Sequence, residues 1–230
     1  MNLPAPSSKE FHELLNKFDH KPQKAIEELK RELSIWLSCQ NIICFSNCFT
    51  AIALALRSTI DSDRKKVAVA AIGYRRTMDI IKWSGLTPEI LDIEKSSMGI
   101  CLSSLERSAK NRRLGAILLQ HPMVNELDIK PYLDISYEYS IPLITDSVEV
   151  TGHGKQTRKV SNLKAYCEAF SLHPSKVING AEGGILAFDD NNSFESFKVF
   201  LKRIGVISNT ADKRILFEIE PLHAVMGIAS

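Results

Sequence analysis

Residues 165–188 read AYCEAFSLHPSKVINGAEGGILAF, and this stretch decides the predicted fold. Two apolar, strand-like runs, residues 165–172 and 184–188, flank a loop of turn-forming residues that carries Lys176. A lysine taken alone is far more often a solvated surface group than a functional one. On a loop between two buried strands, however, it can reach inward. Its role therefore depends on which other polar groups the chain brings to the same place.

The composition is that of an ordinary globular protein. The chain has 230 residues, of which 44% are apolar and 24% are charged. A net charge of +2 gives no one-sided field that would favour nucleic acid or an anionic membrane surface. No apolar run approaches the ~20 residues that span a bilayer, and the start lacks the pattern of a secretion signal. We therefore expect a soluble chain without nucleic-acid or membrane partners.

The cysteines and histidines argue against disulfides and metal sites. The five cysteines are odd in number and contain no CxxC pair, which favours reduced thiols in a cytoplasm. The six histidines form no HxxxH or HExxH pair, and no Cys/His spacing resembles a zinc motif. We expect a cytoplasmic protein without a metal centre.

Apolar strand-like runs and helical patterns alternate along most of the chain. Residues 1–40 read as an N-terminal helical segment, and residues 41–230 read as one larger domain. Predicted strands cover residues 41–45, 67–72, 87–93, 114–120 and 141–145, with helices at 51–57, 103–110 and 129–139 between them. Parallel strands need such crossover connections. The predicted fold class is α/β: three layers, α/β/α, around a mostly parallel central sheet.

Polar side chains that directly follow these strands are the candidate site residues. In open sheets of this kind, ligands bind at the carboxyl ends of the strands. The residues concerned are Ser46 to Thr50, Tyr74, His121, Asp146 with Glu149, and the loop from Ser171 to Lys176.

The turn at residues 46–50 joins a predicted strand to a predicted helix. Unpaired backbone N–H groups at a helix start make a ready anion site, which suits a phosphate. Plain N-capping by Asn47 or Thr50 is the simpler interpretation of this turn taken by itself.

Taken together, these groups are the parts needed to hold pyridoxal 5′-phosphate. The helix start takes the phosphate, an aromatic ring stacks on the pyridine, and a lysine forms a Schiff base. A carboxylate within about 4–6 Å keeps the ring nitrogen protonated, which makes the ring an electron sink.

The order and spacing of several motifs resemble the DegT/DnrJ/EryC1/StrS aminotransferase family. The matching segments are residues 47–51, 69–74, 144–149, 154–155, 160–163, 170–176, 182–184 and 222–229. Members of this family are fold-type-I pyridoxal-phosphate enzymes that aminate keto-sugars attached to nucleotides, usually with glutamate as amino donor. The resemblance implies that fold, that cofactor, those substrates, and a homodimer with its sites at the interface.

The resemblance also implies a role for each matched residue. Lys176 would be the Schiff-base lysine and proton shuttle, and Asp146 would be the partner of the pyridine nitrogen. Glu149 would line the cofactor and substrate pocket, Ser171 would bind the phosphate, and Tyr74 would stack on the ring. The phosphate-binding turn would comprise Asn47, Cys48, Phe49 and Thr50.

Three departures from the family pattern leave alternatives open. Phe49 stands where relatives carry a small hydroxylic residue, and Leu216-Phe217-Glu218 stands where they carry Asn-x-Arg. The chain is also expected to end before the small C-terminal domain of the family. The hypotheses are an aminotransferase or its large-domain portion, a degenerate relative acting as an interaction or scaffold subunit, and a different pyridoxal-phosphate reaction such as elimination or decarboxylation. A dehydratase branch replaces the lysine by histidine, so Lys176 favours transamination over deoxygenation.

Overall fold

A computed structural model describes residues 8–60, 63–122, 126–150, 166–208 and 215–230 of the chain. These residues form seven strands and eight helices. The strands are β1 (Asn41–Phe45), β2 (Lys66–Ala70), β3 (Thr87–Leu91), β4 (Leu114–Gln120), β5 (Leu143–Asp146), β6 (Cys167–Ser171) and β7 (Gly184–Phe188). The helices are α1 (Ser8–Phe18), α2 (Gln23–Trp36), α3 (Cys48–Ser58), α4 (Thr77–Trp83), α5 (Leu102–Lys110), α6 (Lys130–Tyr139), α7 (Asn191–Arg203) and α8 (Pro221–Ala229).

The seven strands form one sheet in the order β1-β7-β6-β5-β4-β2-β3. From β6 to β3 all neighbours are parallel, whereas β7 is antiparallel to both β6 and β1. Six of the seven strands therefore point the same way, and their carboxyl ends meet at one edge of the sheet. The prediction of a mostly parallel sheet is confirmed.

Helices cover both faces of this sheet, so the predicted three-layer architecture is also confirmed. On one face the buried side chains of α3, α4 and α7 form a single core with the sheet. On the other face α5 and α6 pack over β2, β4 and β5. The remaining helices, α1, α2 and α8, pack over β1, β7 and β6. Full burial of each Leu, Ile or Phe in these cores contributes about 1.5–3 kcal/mol of transfer free energy.

Several element bounds agree with the sequence prediction and others were wrong. β1, β4 and β7 have the predicted bounds. β2 ends at Ala70, because the chain leaves the sheet there, and Ile72 is exposed rather than buried. β5 begins at Leu143 rather than Ile141, because the Ile141 N–H donates to Ser136 and closes the end of α6.

Helix α7 follows β7 directly and was not singled out in the sequence. Asp190 caps it by accepting a hydrogen bond from the Ser193 N–H at 2.7 Å. Its buried face, which includes Phe197, packs on the same core as α3. The division of the chain at residue 40 stays a prediction. Among the helices described, none has the length and apolarity needed to cross a membrane.

Candidate active site

Asp146 is a buried carboxylate at the carboxyl end of β5, in the middle of the sheet. Because side chains alternate along a strand, it shares with Ile144 the face that is covered by α3. Oδ2 accepts a hydrogen bond from Gln120 Nε2 at 2.9 Å, and Oδ1 accepts one from the Val148 N–H at 3.2 Å. Burial raises the pKa of the Asp146 carboxyl, and these hydrogen bonds oppose that rise.

Lys176 lies on a compact loop between β6 and β7. The loop is closed at its base by the Leu172 N–H donating to Gly183 at 3.0 Å and by the Gly180 N–H donating to Leu172 at 2.9 Å. The Lys176 side chain is only 13% exposed, and its Nζ donates to Glu149 Oε1 at 2.7 Å. The lysine therefore reaches inward, as the sequence predicted, rather than into solvent.

Helix α3 begins at the same edge of the sheet. Asn47 caps it in an extended conformation, with Oδ1 accepting from the Thr50 N–H at 2.8 Å, so capping by Asn47 is confirmed. The N–H groups of Cys48 and Phe49, in the first turn, are the ones left for an anion. The adjacent strand allows this close approach, because a Cβ at Gly184 would lie 2.5 Å from Asn47 backbone atoms.

The helix start, the carboxylate and the lysine share one electrostatic environment. Burial raises the pKa of the Cys48 thiol well above its usual value, and the Asp146 charge raises it further whereas Lys176 lowers it. The pKa of Asp146 responds to the charges of Glu149 and Lys176 in the same way. Residues that are far apart in the sequence thus meet at the carboxyl ends of β1, β5 and β6.

Ser171 and Tyr74 occupy different surroundings. Ser171 ends β6 and is buried, and its Oγ accepts from the His173 N–H at 3.2 Å, which leaves the hydroxyl proton available for a ligand oxygen. Tyr74 follows β2, two strands away from β5, and is 63% exposed. Its stacking on a cofactor ring stays a prediction.

The two unusual segments have structural partners. The Phe49 ring lies edge-on to Trp83, with centroids 6.0 Å apart, and the Arg76 guanidinium lies 5.4 Å from its centroid. Phenylalanine has no hydroxyl, so the group that Phe49 can offer a ligand is its backbone N–H.

The second segment, Leu216-Phe217-Glu218, supports the turn before α3. The Phe217 carbonyl accepts from the Ser46 N–H at 2.6 Å, and Glu218 pairs with Phe45 in an antiparallel bridge. The Glu218 carboxylate forms an ion pair with Lys30 at 2.8 Å. This segment thus ties the edge of the sheet to α2.

Sequence reasoning missed Gln120, the last residue of β4. It singled out the next residue, His121, which is buried and whose Nδ1 accepts from the Leu127 N–H at 3.0 Å. Gln120 instead lies opposite Asp146 in the parallel register of β4 and β5. The signal was available, because a polar residue ending an apolar strand points to this edge. The family motifs at residues 154–155 and 160–163 lie outside the described residues.

The residues present fit pyridoxal phosphate. The buried carboxylate suits a protonated ring nitrogen, and the inward-facing lysine suits a carbonyl carbon. The start of α3 and the Ser171 hydroxyl suit a phosphate.

Comparisons with known proteins agree with this fit. Over 167 residues the chain is 24% identical to GDP-perosamine synthase of Caulobacter vibrioides, which covers 73% of this chain and 44% of the relative. It is 26% identical, also over 167 residues, to UDP-4-amino-4,6-dideoxy-N-acetyl-beta-L-altrosamine transaminase of Helicobacter pylori, and this match covers 72% of this chain and 44% of that protein. The chain thus spans about half the length of these curated relatives.

Solved structures share the fold over nearly the whole chain. Helicobacter pylori PseC, an aminotransferase involved in the biosynthesis of pseudoaminic acid, superposes with a TM-score of 0.83 at 20% identity, covering 99% of this chain and 63% of PseC. DesI, solved in the presence of its TDP-sugar product, gives a TM-score of 0.82 at 17% identity, covering 100% and 61% of the two chains. The sequence profile of one family matches residues 6–225. The chain belongs to the DegT/DnrJ/EryC1/StrS aminotransferase family.

Proposed function

We propose that this chain carries the cofactor site of a pyridoxal-phosphate-dependent aminotransferase that acts on a nucleotide-linked keto-sugar, with glutamate as the amino donor. The observation that carries the proposal is the meeting of Lys176, Asp146 and the start of α3 at one edge of the sheet. The relatives named as sugar transaminases and synthases support the substrate class.

Each residue has a physical task in this proposal. When bound, pyridoxal phosphate supplies a carbonyl that takes up an amino group and a protonated ring that draws electrons from the substrate. Asp146 holds the proton at the ring nitrogen, because a buried negative charge favours the protonated form. Lys176 Nζ holds the carbonyl end and moves a proton at the substrate carbon. Tyr74 covers the ring in the proposed arrangement.

The phosphate would bind at the start of α3. The N–H groups of Cys48 and Phe49 would donate to it at the positive end of this helix, and the Ser171 hydroxyl would add a further donor. Glu149 accepts from Lys176 at 2.7 Å and is 42% exposed, so it also faces the side from which a substrate arrives.

The test is a half-reaction. Purified protein is loaded with pyridoxal phosphate and then mixed with glutamate, while the absorbance spectrum is recorded. We expect the visible band of the lysine-bound cofactor to fall and the near-ultraviolet band of its amine form to rise, and a nucleotide-linked keto-sugar to reverse the change. The matched control is Lys176→Ala. An unchanged spectrum with every amino donor tried would contradict transamination.

A second candidate is an interaction or scaffold subunit that has lost turnover. It is favoured by the engagement of Glu218 with Lys30 and Phe45, which uses that residue for structure rather than for a ligand. Loading with cofactor separates the two candidates. Absence of the half-reaction, together with co-purification of the protein with a longer relative, would support the scaffold subunit.

We also propose a homodimer in the cytoplasm. Exposed apolar side chains lie beyond the carboxyl ends of β2 and β1, among them Ile72, Leu216 and Phe217. Such side chains at the mouth of a site are typical of surfaces that another subunit covers. The five cysteines are all unpaired, which suits a reducing compartment. Light scattering after gel filtration measures the oligomeric state, and a monomer at working concentration would contradict the dimer.

A further inference from the structure

Gln120 is the middle one of three side chains that are joined by hydrogen bonds, between Thr77 and Asp146. Its Nε2 donates to Asp146 Oδ2 at 2.9 Å, and its Oε1 accepts from Thr77 Oγ1 at 3.1 Å. Thr77 is buried at the first turn of α4, and Gln120 itself is half-buried at the end of β4. These hydrogen bonds therefore link three separate elements, α4, β4 and β5.

The chemistry of the three groups fixes the orientation of the amide. The NH2 group of Gln120 faces Asp146, which suits an ionised carboxylate because that group only accepts hydrogen bonds. The carbonyl oxygen then faces the Thr77 hydroxyl, which donates to it. Rotating the amide by half a turn would place two oxygens against each other at Asp146 and would lose that interaction.

The backbone on both sides of the amide limits where it can lie. A Cβ at Gly73 would lie 2.5 Å from Gln120 Oε1, so a side chain there would require the amide to shift. The register of β4 and β5 puts the Cα of Gln120 directly opposite that of Asp146. Neighbouring parallel strands therefore set the distance between the amide and the carboxylate.

We propose that Gln120 is a positioning residue for the candidate site: its amide holds the Asp146 carboxylate in place and stabilises its ionised form, ready for a protonated ring nitrogen. This inference rests on the proposed function. Gln120 reaches the ring through Asp146, so it is distinct from the residues assigned to contact the cofactor itself.

The other charged groups around Asp146 do not replace this interaction. Glu149 raises the pKa of Asp146, Lys176 lowers it, and the Cys48 thiol of α3 lies in the same environment. Among the hydrogen bonds to the Asp146 carboxylate, that from Gln120 comes from a side chain and that from Val148 comes from the backbone. Gln120 is therefore the donor that a substitution can remove.

The test uses three variants of similar volume in cofactor-free protein. Gln120→Leu removes the donor, Gln120→Glu replaces it with a like charge, and Thr77→Val removes the hydroxyl that orients the amide. The pKa of Asp146 is measured by carbon NMR on protein labelled at aspartate carboxyls, with the Asp146 signal assigned from Asp146→Asn. We expect an upward shift in all three variants, largest for Gln120→Glu and smallest for Thr77→Val.

Gln23→Leu is the matched control, because that exposed amide hydrogen-bonds to Glu218 outside the site. Far-ultraviolet circular dichroism establishes that each variant is folded, and Thr77→Val still tests the proposal if a Gln120 variant is not. An Asp146 pKa unchanged in every folded Gln120 and Thr77 variant would overturn the proposal.

A second measurement separates this inference from the proposed function. In cofactor-loaded protein we expect Gln120→Leu to weaken pyridoxal phosphate binding about tenfold, since a hydrogen bond to a charged group is lost. If the wild-type protein bound no cofactor, the proposed function would be wrong. The Asp146 titration would still decide the role of Gln120. Equal binding by wild type and Gln120→Leu would overturn the positioning role.

Discussion

The Lys176 ammonium donates to the Glu149 carboxylate at 2.7 Å, although the two residues are 27 positions apart and lie on different loops. Glu149 follows β5 and Lys176 follows β6, and the parallel pairing of these strands brings both loops to one edge of the sheet. The interaction keeps the lysine directed into the site. Its acceptor, Glu149, comes three residues after Asp146 in the sequence. The fold thus assembles the lysine and the carboxylate from separate strands.

Asp146→Asn is expected to weaken cofactor binding and to stabilise the cofactor-free protein. A neutral amide cannot favour a protonated ring nitrogen, so we expect turnover to fall by about 10²-fold or more, the range found when a charge-stabilising group is lost. Because burial raises the folded-state pKa of Asp146, the stability this group contributes is present below its usual value of 3.8 and is lost as the pH rises through the folded pKa. Asparagine does not titrate, so the variant does not lose stability in this way as the pH rises.

Melting temperature against pH measures the second effect. We expect cofactor-free Asp146→Asn to melt a few degrees above the wild type at pH 7, with the difference vanishing below pH 3.8. Asp134→Asn is the control, because Asp134 is an exposed partner of Lys130. A variant that is less stable than wild type at neutral pH would show that burial of the Asp146 charge does not destabilise the folded protein.

Asn47 separates the capping of α3 from the binding of a phosphate. Asn47→Ala removes the hydrogen bond to the Thr50 N–H and is expected to cost about 1 kcal/mol of unfolding free energy. Asn47→Asp keeps the cap and near-wild-type stability, but it puts a negative charge beside the proposed phosphate. We expect it to weaken pyridoxal phosphate binding by about tenfold or more. Calorimetric unfolding and a cofactor titration measure the two effects, and undiminished cofactor binding by Asn47→Asp would place the phosphate elsewhere.

Gly184→Ala tests the contact between β7 and α3. The added methyl would lie 2.5 Å from backbone atoms of Asn47 and Cys48, so the start of the helix must move. We expect a loss of about 1–3 kcal/mol in stability together with weaker cofactor binding.

The control for this substitution is Gly205→Ala. An added methyl there meets no atom within 4 Å, although the backbone φ of +75° makes an alanine strained. We expect it to lower stability without changing the cofactor affinity. If the two substitutions changed the affinity equally, the link between β7 and the helix start would be wrong.

Periodicity and turn chemistry were enough to predict the fold class and the positions of most strands. The buried runs at β1, β4 and β7 are short, apolar and bounded by turn residues, so their bounds were predicted. The direction of β7 was not, because a buried strand reads the same in parallel and antiparallel pairing. The exposed Ile72 also escaped prediction, since its side chain continues the apolar run after the chain has left the sheet.

The sequence singles out candidate site residues where a residue type carries its own chemistry. Asp146 and Lys176 come after predicted strands and carry charges that suit the proposed cofactor, and their roles stay predictions. Gln120 could have been singled out as a polar residue that ends an apolar strand, but its contact with Asp146 depends on the register of β4 and β5, which a single sequence does not specify. The side-chain contacts of Phe49 with Trp83 and Arg76 likewise arise from tertiary packing.

Borohydride reduction followed by peptide mass spectrometry determines whether Lys176 holds the cofactor, as we propose. Protein incubated with pyridoxal phosphate and then reduced should carry the cofactor covalently on the peptide containing Lys176. Lys176→Ala should abolish this label, and Lys198→Ala, which changes a lysine that pairs with Glu195 on α7, should leave it intact. A reduced wild-type protein with no label, or with the label on another lysine, would show that Lys176 does not hold the cofactor.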